Sequence, residues 1–324
     1  VIAITPVTVS GYVVHAGFLG ATPVFADGAG RLARGTAGDS VAVHNGAVLA
    51  AAETPDGKAL LTGGDDGRLM LTPAAGEPRL MAERGRKWLD QVAAGPNGAV
   101  AFASGRSVWA IDGKGAEFEL TRPRAVGGLA FFPKGFRLAV SGYNGVGLWF
   151  PGTSGAVQEL EWKGAHLGVT VSPDARNVVT TMQEMALHGW RLSDNQHMRM
   201  TGYPAKVRSM SWSVKGRFLC TSGAGASVCW PFHHKDGPMG KKPLELGARQ
   251  EMVTRVAAHP KEEIAALGYS DGMILLVRFS DGEEVLMRRP EEGGPISALG
   301  WSPSGLELAF GTEGGTAGVI DLSA

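Results

Sequence analysis

One unit returns about every 40 residues along this chain of 324, and a chain written that way can bury a core only by stacking successive copies of the unit. Its first marker is a proline in a tight turn after an apolar strand, as in "AAETPDGKAL", "VAAGPNGAVA", "LAFFPKGFRLAV", "VTVSPDARNVV", "VAAHPKEEIAAL" and "LGWSPSGLELAF". The prolines are Pro55, Pro96, Pro133, Pro173, Pro260 and Pro303, with Val214 standing where a seventh would be. Proline sets φ near −65° at the first central position of a turn, and Asp, Asn or Gly after it tolerates the next conformation, so each marker joins two strands as a hairpin. A second marker follows, a short Gly-containing turn leading to another strand, as in "FADGAGRLA", "GGDDGRLML", "SGYNGVGLWF" and "SGAGASVCWPF". Four of these strands carry a Trp at the same place, Trp109, Trp149, Trp190 and Trp230, at intervals of 40, 41 and 40. A fourth segment, such as "EPRLMAE" or "VQELEW", alternates apolar and polar residues as an exposed outer strand does.

Each unit therefore reads as a four-stranded antiparallel meander, and the second marker counts eight of them. Small four-stranded sheets that must stack to bury both faces are the blades of an all-β propeller. The blades fall at about 11–45, 46–84, 85–123, 124–162, 163–204, 205–249, 250–292 and 293–324 with 1–10, in a single domain. The last unit runs out after three strands, and "VIAITPVTV" has the alternation to complete it and close the ring. The first unit lacks a Pro-turn, so seven blades after an irregular N-terminal segment is the alternative. Composition fits: 48 Gly serve many tight turns, and 31 basic against 31 acidic residues leave no net field to draw nucleic acid or an anionic membrane. Two cysteines are too few for a disulfide framework, which points to a reducing cytoplasm, and no apolar run approaches the roughly 20 residues of a membrane span. Whether a leader precedes Val1 is left open.

The "SPDG"-like turn after the first strand, the "SGxDG"-like turn before the third and the Trp near that strand's end resemble WD-repeat β-propellers of a divergent, bacterial kind, over nearly the whole chain. No repeat ends in Trp-Asp, and the Gly-His pair is missing, although His44 stands at the usual distance before its turn. The hydrogen-bond network that those residues build is thus expected to be largely absent, with aliphatic packing in its place. The resemblance implies a non-catalytic scaffold that gathers partner proteins on the face where the inter-blade loops open.

Several residues are candidates on that face. "ERGRKWLDQ" sets Trp88 beside Arg86 and Lys87, the composition of an interface hot spot, although Trp88 could instead fold over the next blade. Counting back from each Pro-turn places Asp90, Arg208 and Arg255 at the channel mouth, where they could bind an anionic group or pair with each other. Tyr143 belongs to the same rim, with Gln183, Glu184 and Met185.

"VCWPFHHKDG" raises a different chemistry, for Cys229, His233, His234 and Asp236 could ligate zinc. The beat instead makes "SVCWPF" a third strand with Cys229 and Trp230 buried on opposite faces, and the histidines part of an inserted loop. Zinc is accordingly the alternative, and no cofactor the leading expectation. No phosphate loop, nucleophile elbow or zinc-protease helix is present, so the chain is expected not to be an enzyme. The functional expectation is a protein-binding scaffold without nucleic-acid or membrane partners; a zinc-handling accessory protein, then a channel-site hydrolase, are the alternatives.

Overall fold

The computed structural model describes residues 2–323. Seven antiparallel sheets succeed one another along the described residues. The first is formed by Val13–Leu19, Thr22–Asp27, Arg31–Arg34 and Asp39–Ala42; the second by Val48–Glu53, Ala59–Gly64, Arg68–Pro73 and Arg79–Glu83; the third by Gln91–Ala94, Val100–Ser104, Ser107–Ile111 and Glu117–Thr121. The fourth has six strands, from Val126–Phe131 to Gln196–Met200. The fifth and sixth start at Met210 and Val253 and again have four each. In the seventh, Ile296–Trp301, Glu307–Thr312 and Ala317–Asp321 are joined by Ala3–Val7, with Ala3 opposite Asp321 and Val7 opposite Ala317. The N-terminal strand thus completes the last sheet, as its alternation predicts, and the architecture is a β-propeller with four-stranded antiparallel blades.

Seven sheets accommodate eight repeats because two units share the fourth sheet. Leu138–Trp149 pairs through residues 138–142 with the strand before it and through 145–148 with Gln158–Val171. Gln158–Val171 in turn pairs back through 158–161 and forward through 166–171. Both long strands shift register midway, and Asn144 and Gly145 take up the bend at φ 69° and 141°. The seven-fold count is therefore seated at 126–200. The N-terminal segment, where the sequence suggests irregularity, forms a regular four-stranded sheet, its first hairpin turned by Gly20 at φ 60° in place of a proline.

By packing, the chain divides into two compact units, one holding residues up to 48, 73–77 and those from 207 on, the other 49–72 and 78–206. Within the first, Phe218, Cys220 and Cys229 of the fifth sheet pack on Val256, Leu267 and Leu275 of the sixth, and Ala266 and Ile274 pack on Ile296, Leu308 and Phe310 of the seventh. Within the second, Leu61, Leu69 and Leu89 meet Phe102 and Trp109. Val146, Leu148 and Leu160 meet Val178 and Trp190. Strand alternation supplies each sheet with two apolar faces, and each fully buried Leu or Phe contributes roughly 1.5–3 kcal/mol. Of the four rhythmic tryptophans, Trp109, Trp149 and Trp190 are buried, and Trp230 is half-buried.

The glycine of the second marker has a specific cause. At Gly67, φ is 77°, and a Cβ would lie 2.1 Å from the carbonyl oxygen of Gly85 in the loop that leaves the same sheet; Gly30 repeats this at 2.1 Å from the carbonyl of Gly46. The close approach is locked by Arg84 N–H donating to the Gly67 carbonyl (2.8 Å) and by Val43 and His44 N–H donating to that of Gly30 (2.9 and 3.0 Å). The Pro-turn also carries a device beyond proline. Thr54, Ser172, Ser213 and Ser302 stand just before Pro55, Pro173, Val214 and Pro303, and each hydroxyl accepts from the N–H five residues on, at 3.1, 2.9, 2.9 and 3.1 Å. Those bonds close the hairpin base where the ladder ends.

Part of the polar network expected to be largely absent is present in the fourth sheet, although the buried Trp190 indole N–H has no hydrogen-bond partner among the described residues. In the fourth sheet His166 Nδ1 lies 2.6 Å from Thr180 Oγ1, which donates to the His188 carbonyl at 3.3 Å, and the ring of Trp190 lies beside both histidines.

Candidate functional site

The loop 84–90 follows the second sheet, pinned at one end by the Gly67 carbonyl and at the other by Leu89 N–H, which donates to Gly64 O at 3.1 Å. Between those pins Trp88 is 65% exposed, the highest exposure among the described large hydrophobic residues, so it does not fold over the adjacent sheet. That position is taken by its basic neighbours. Lys87 Nζ lies 5.3 Å from the Trp109 ring centroid, and the Arg84 guanidinium lies over both Trp109 and Phe102 while pairing with Glu117. Arg86 is exposed. Asp90 is exposed, and partial desolvation raises its carboxyl pKa from the ordinary value.

Tyr143 stands on the bend of the six-stranded sheet, 58% exposed, and separates two hollows. One, of about 320 Å³, is lined by Arg122, Arg124, Asn144, Glu159 and Glu161, and its charge is largely settled internally: Arg122 donates to both oxygens of Glu159 at 2.7 and 2.9 Å. The other, of about 410 Å³, is lined by Tyr143, Trp162, Lys163, Glu184, His188 and Arg199. Here the Trp162 indole stacks on the His188 imidazole with centroids 4.2 Å apart and planes 10° from parallel. His188 Nε2 faces His197 Nδ1 at 2.9 Å. Burial, with the charges of His197, His166 and Arg199 adding to it, lowers the His188 pKa to about 3, so this imidazole is neutral at ordinary pH. The structure thus brings Tyr143 and Glu184 of the expected rim to one hollow. Its floor was missed in the sequence: Trp162 lies off the 40-residue beat, between the two ladder segments of the long strand Gln158–Val171, and that displacement from the beat is the signal that could have found it.

Arg208 and Arg255 belong to the other compact unit. Arg255 is half-buried and committed to backbone, donating from Nε to the Ser297 carbonyl at 2.6 Å and from Nη1 to that of Thr254 at 3.0 Å. Burial lowers its pKa; Tyr12 and Glu313 oppose that, and the nearby Arg208 adds to it. Arg208 is exposed. Of the two, Arg208 is the one whose guanidinium faces solvent.

The residues considered for zinc are not brought together. Cys229 is fully buried in the core between the fifth and sixth sheets, directly opposite Cys220, with the sulfurs 3.1 Å apart. The strand period of two turns Cys229 into that core, and the chain leaves the strand at Pro231, carrying the histidines outward. His233 and His234 are exposed; the His233 ring packs edge-on against Phe218 at 5.2 Å, and its Nδ1 lies 3.2 Å from the Arg217 carbonyl. Among the described residues no three His, Cys, Asp or Glu side chains are grouped to hold a metal ion.

Two stretches match known families: residues 38–71 match "WD domain, G-beta repeat", and residues 248–324 match "Anaphase-promoting complex subunit 4 WD40 domain". These two stretches carry WD-repeat sequence, and the fold around them is a β-propeller. No curated protein matches it in sequence. Among solved structures, the computationally designed Ika8 protein superposes with a TM-score of 0.79 at 18% identity, over 98% of this chain and 100% of that one. The RRP9 WD40 repeats (TM-score 0.65, 17% identity) and U3-55K (0.64, 17%) each align over 86% of this chain, and over 95% and 96% of their own. At these identities the likeness is one of fold.

Proposed function

We propose that this WD-repeat propeller is a non-catalytic scaffold that binds partner proteins through the loops and turns between its strands. Trp88 carries the proposal: a 65% exposed indole in a loop fixed at both ends is a large apolar group presented at little entropic cost, and Trp with neighbouring Arg dominates many interfaces. Tyr143 at 58% and Met185 at 45% exposure add apolar contact area on other turns. The WD-repeat matches support the same reading, since proteins of this fold commonly mediate protein interactions. The two free thiols support a reducing cytoplasm as its compartment.

The test is affinity capture from the native cell with wild-type protein, Trp88→Ala, Tyr143→Ala and the double variant, each checked for an unchanged urea midpoint. Specific partners should be lost from at least one single variant and from the double variant. Identical capture by all four proteins refutes the assigned surface.

A further inference from the structure

The hollow beside Tyr143 has a composition that selects its occupant. We propose that it takes an acidic segment of a partner protein, with a bulky apolar side chain seated against Trp162 and an adjacent carboxylate held by Arg199 and Lys163. This rests on the scaffold reading and adds the chemistry of what one site recognises.

Three observations carry it. The first is apolar: Trp162 is held flat by its stack on His188, and buried Met182 and Leu187 line the same space, which at about 410 Å³ lies in the size range of ligand pockets. The Trp162 ring is already held by that stack before anything binds, which lowers the cost of association on the apolar side.

The second is charge. Lys163 and Arg199 both line the hollow, and neither forms an ion pair among the described residues, whereas Arg122 across Tyr143 is neutralised by Glu159. The one carboxylate on this side, Glu184, accepts a hydrogen bond from Ala165 N–H at 3.2 Å. His188 adds no charge, being neutral. The hollow therefore carries a surplus of one positive charge from two cations, one carboxylate and a neutral imidazole.

The third is geometric. The Arg199 guanidinium lies 5.5 Å from the Trp162 ring centroid. A cationic ligand would compete with it for that aromatic ring and be repelled by it; a carboxylate would be attracted to a guanidinium fork able to form paired hydrogen bonds.

The experiment is fluorescence anisotropy with fluorescein-labelled pentapeptides, Asp-Asp-Phe-Asp-Asp and its counterparts with Ser or Lys in place of Asp. Saturable binding of the acidic peptide is expected, weakened about tenfold by Arg199→Ala and several-fold by Lys163→Ala, in line with loss of a charge-assisted hydrogen bond. Both residues are exposed, so these variants should fold, and an unchanged urea midpoint verifies that. Trp88→Ala should leave peptide affinity as in wild type. The proposal is overturned if the acidic peptide does not bind, if the Ser or Lys peptide binds as well, or if Arg199→Ala binds like wild type. Any of these can occur while Trp88-dependent capture persists, so the two readings fail separately.

Discussion

Replacing Gly67 by Ala tests why the second marker of the repeat is a glycine. Two costs combine. An L-residue held at φ 77° loses about 1–2 kcal/mol, and a Cβ placed 2.1 Å from the Gly85 carbonyl oxygen forces a backbone shift costing about 1–3 kcal/mol. Against these, Ala restricts the unfolded chain and returns about 0.4–1 kcal/mol. The net loss is about 1–4.5 kcal/mol, centred near 3. Gly105 is the matched control in the next sheet: φ is 57°, but nothing lies within 4 Å of an added Cβ, so only the conformational cost and its offset remain, about 0–1.5 kcal/mol. Urea unfolding of both variants, with unchanged m-values, measures the difference. Hydrogen exchange at Arg84 N–H locates it, because that amide donates to the Gly67 carbonyl and should lose protection only in Gly67→Ala. Equal midpoints for the two variants, or full protection at Arg84 in Gly67→Ala, would refute the close-approach argument and leave φ alone as the reason for the glycine.

The serine before the Pro-turn should matter through its hydroxyl: Ser172 is buried, accepts from Asn177 N–H at 2.9 Å and donates to Asp174 at 2.6 Å, so Ser172→Ala should cost about 1–3 kcal/mol in urea midpoint, while an unchanged midpoint would reduce the hydroxyl to an incidental contact. The buried His188 should make stability fall in acid. Its folded pKa of about 3 lies below the unfolded value of about 6.5, so unfolding takes up a proton between those limits, and stability present above pH 6.5 is lost as pH falls toward 3. From pH 7 to pH 5 the loss is about 2 kcal/mol for this one group, and His188→Gln should flatten the profile; a wild-type profile already flat over that range would show that the imidazole is solvated.

The fold was legible because its evidence is repeated. A proline or glycine that must hold a turn at every unit writes the same signal many times, and the alternation of "VIAITPVTV" sufficed to pair Ala3–Val7 with Ala317–Asp321. The union of two units in the fourth sheet was not legible, because strands 138–149 and 158–171 keep the ordinary turn residues and differ only in carrying the ladder through them. Candidate sites behave in the opposite way, since a site is a departure from the repeat. Tyr143 and Trp88 lie on turns and loops that the beat identifies, but position alone left Trp88 open between exposure and folding over the next blade, and only the structure separates the two. Cys229 lies in phase as well, and the phase rather than its nearness to His233 and His234 decided its environment. Trp162 and Arg199 are out of phase, 13 residues after one rhythmic tryptophan and 9 after the next, and no unit-by-unit comparison brings them together. They meet because the bend at 143–145 and the register shift at His166 set the middle of the strand Gln158–Val171 against the adjoining strands of the following unit. The continuous sheet and the hollow beside Tyr143 are consequently one structural fact, so a substitution that strains the bend, such as Gly145→Ala, should disturb the Trp162–His188 stack before it disturbs any other sheet. An added Cβ at Gly145 would lie 2.1 Å from the Leu160 carbonyl oxygen, two residues from Trp162, which puts the strain at the floor of the hollow.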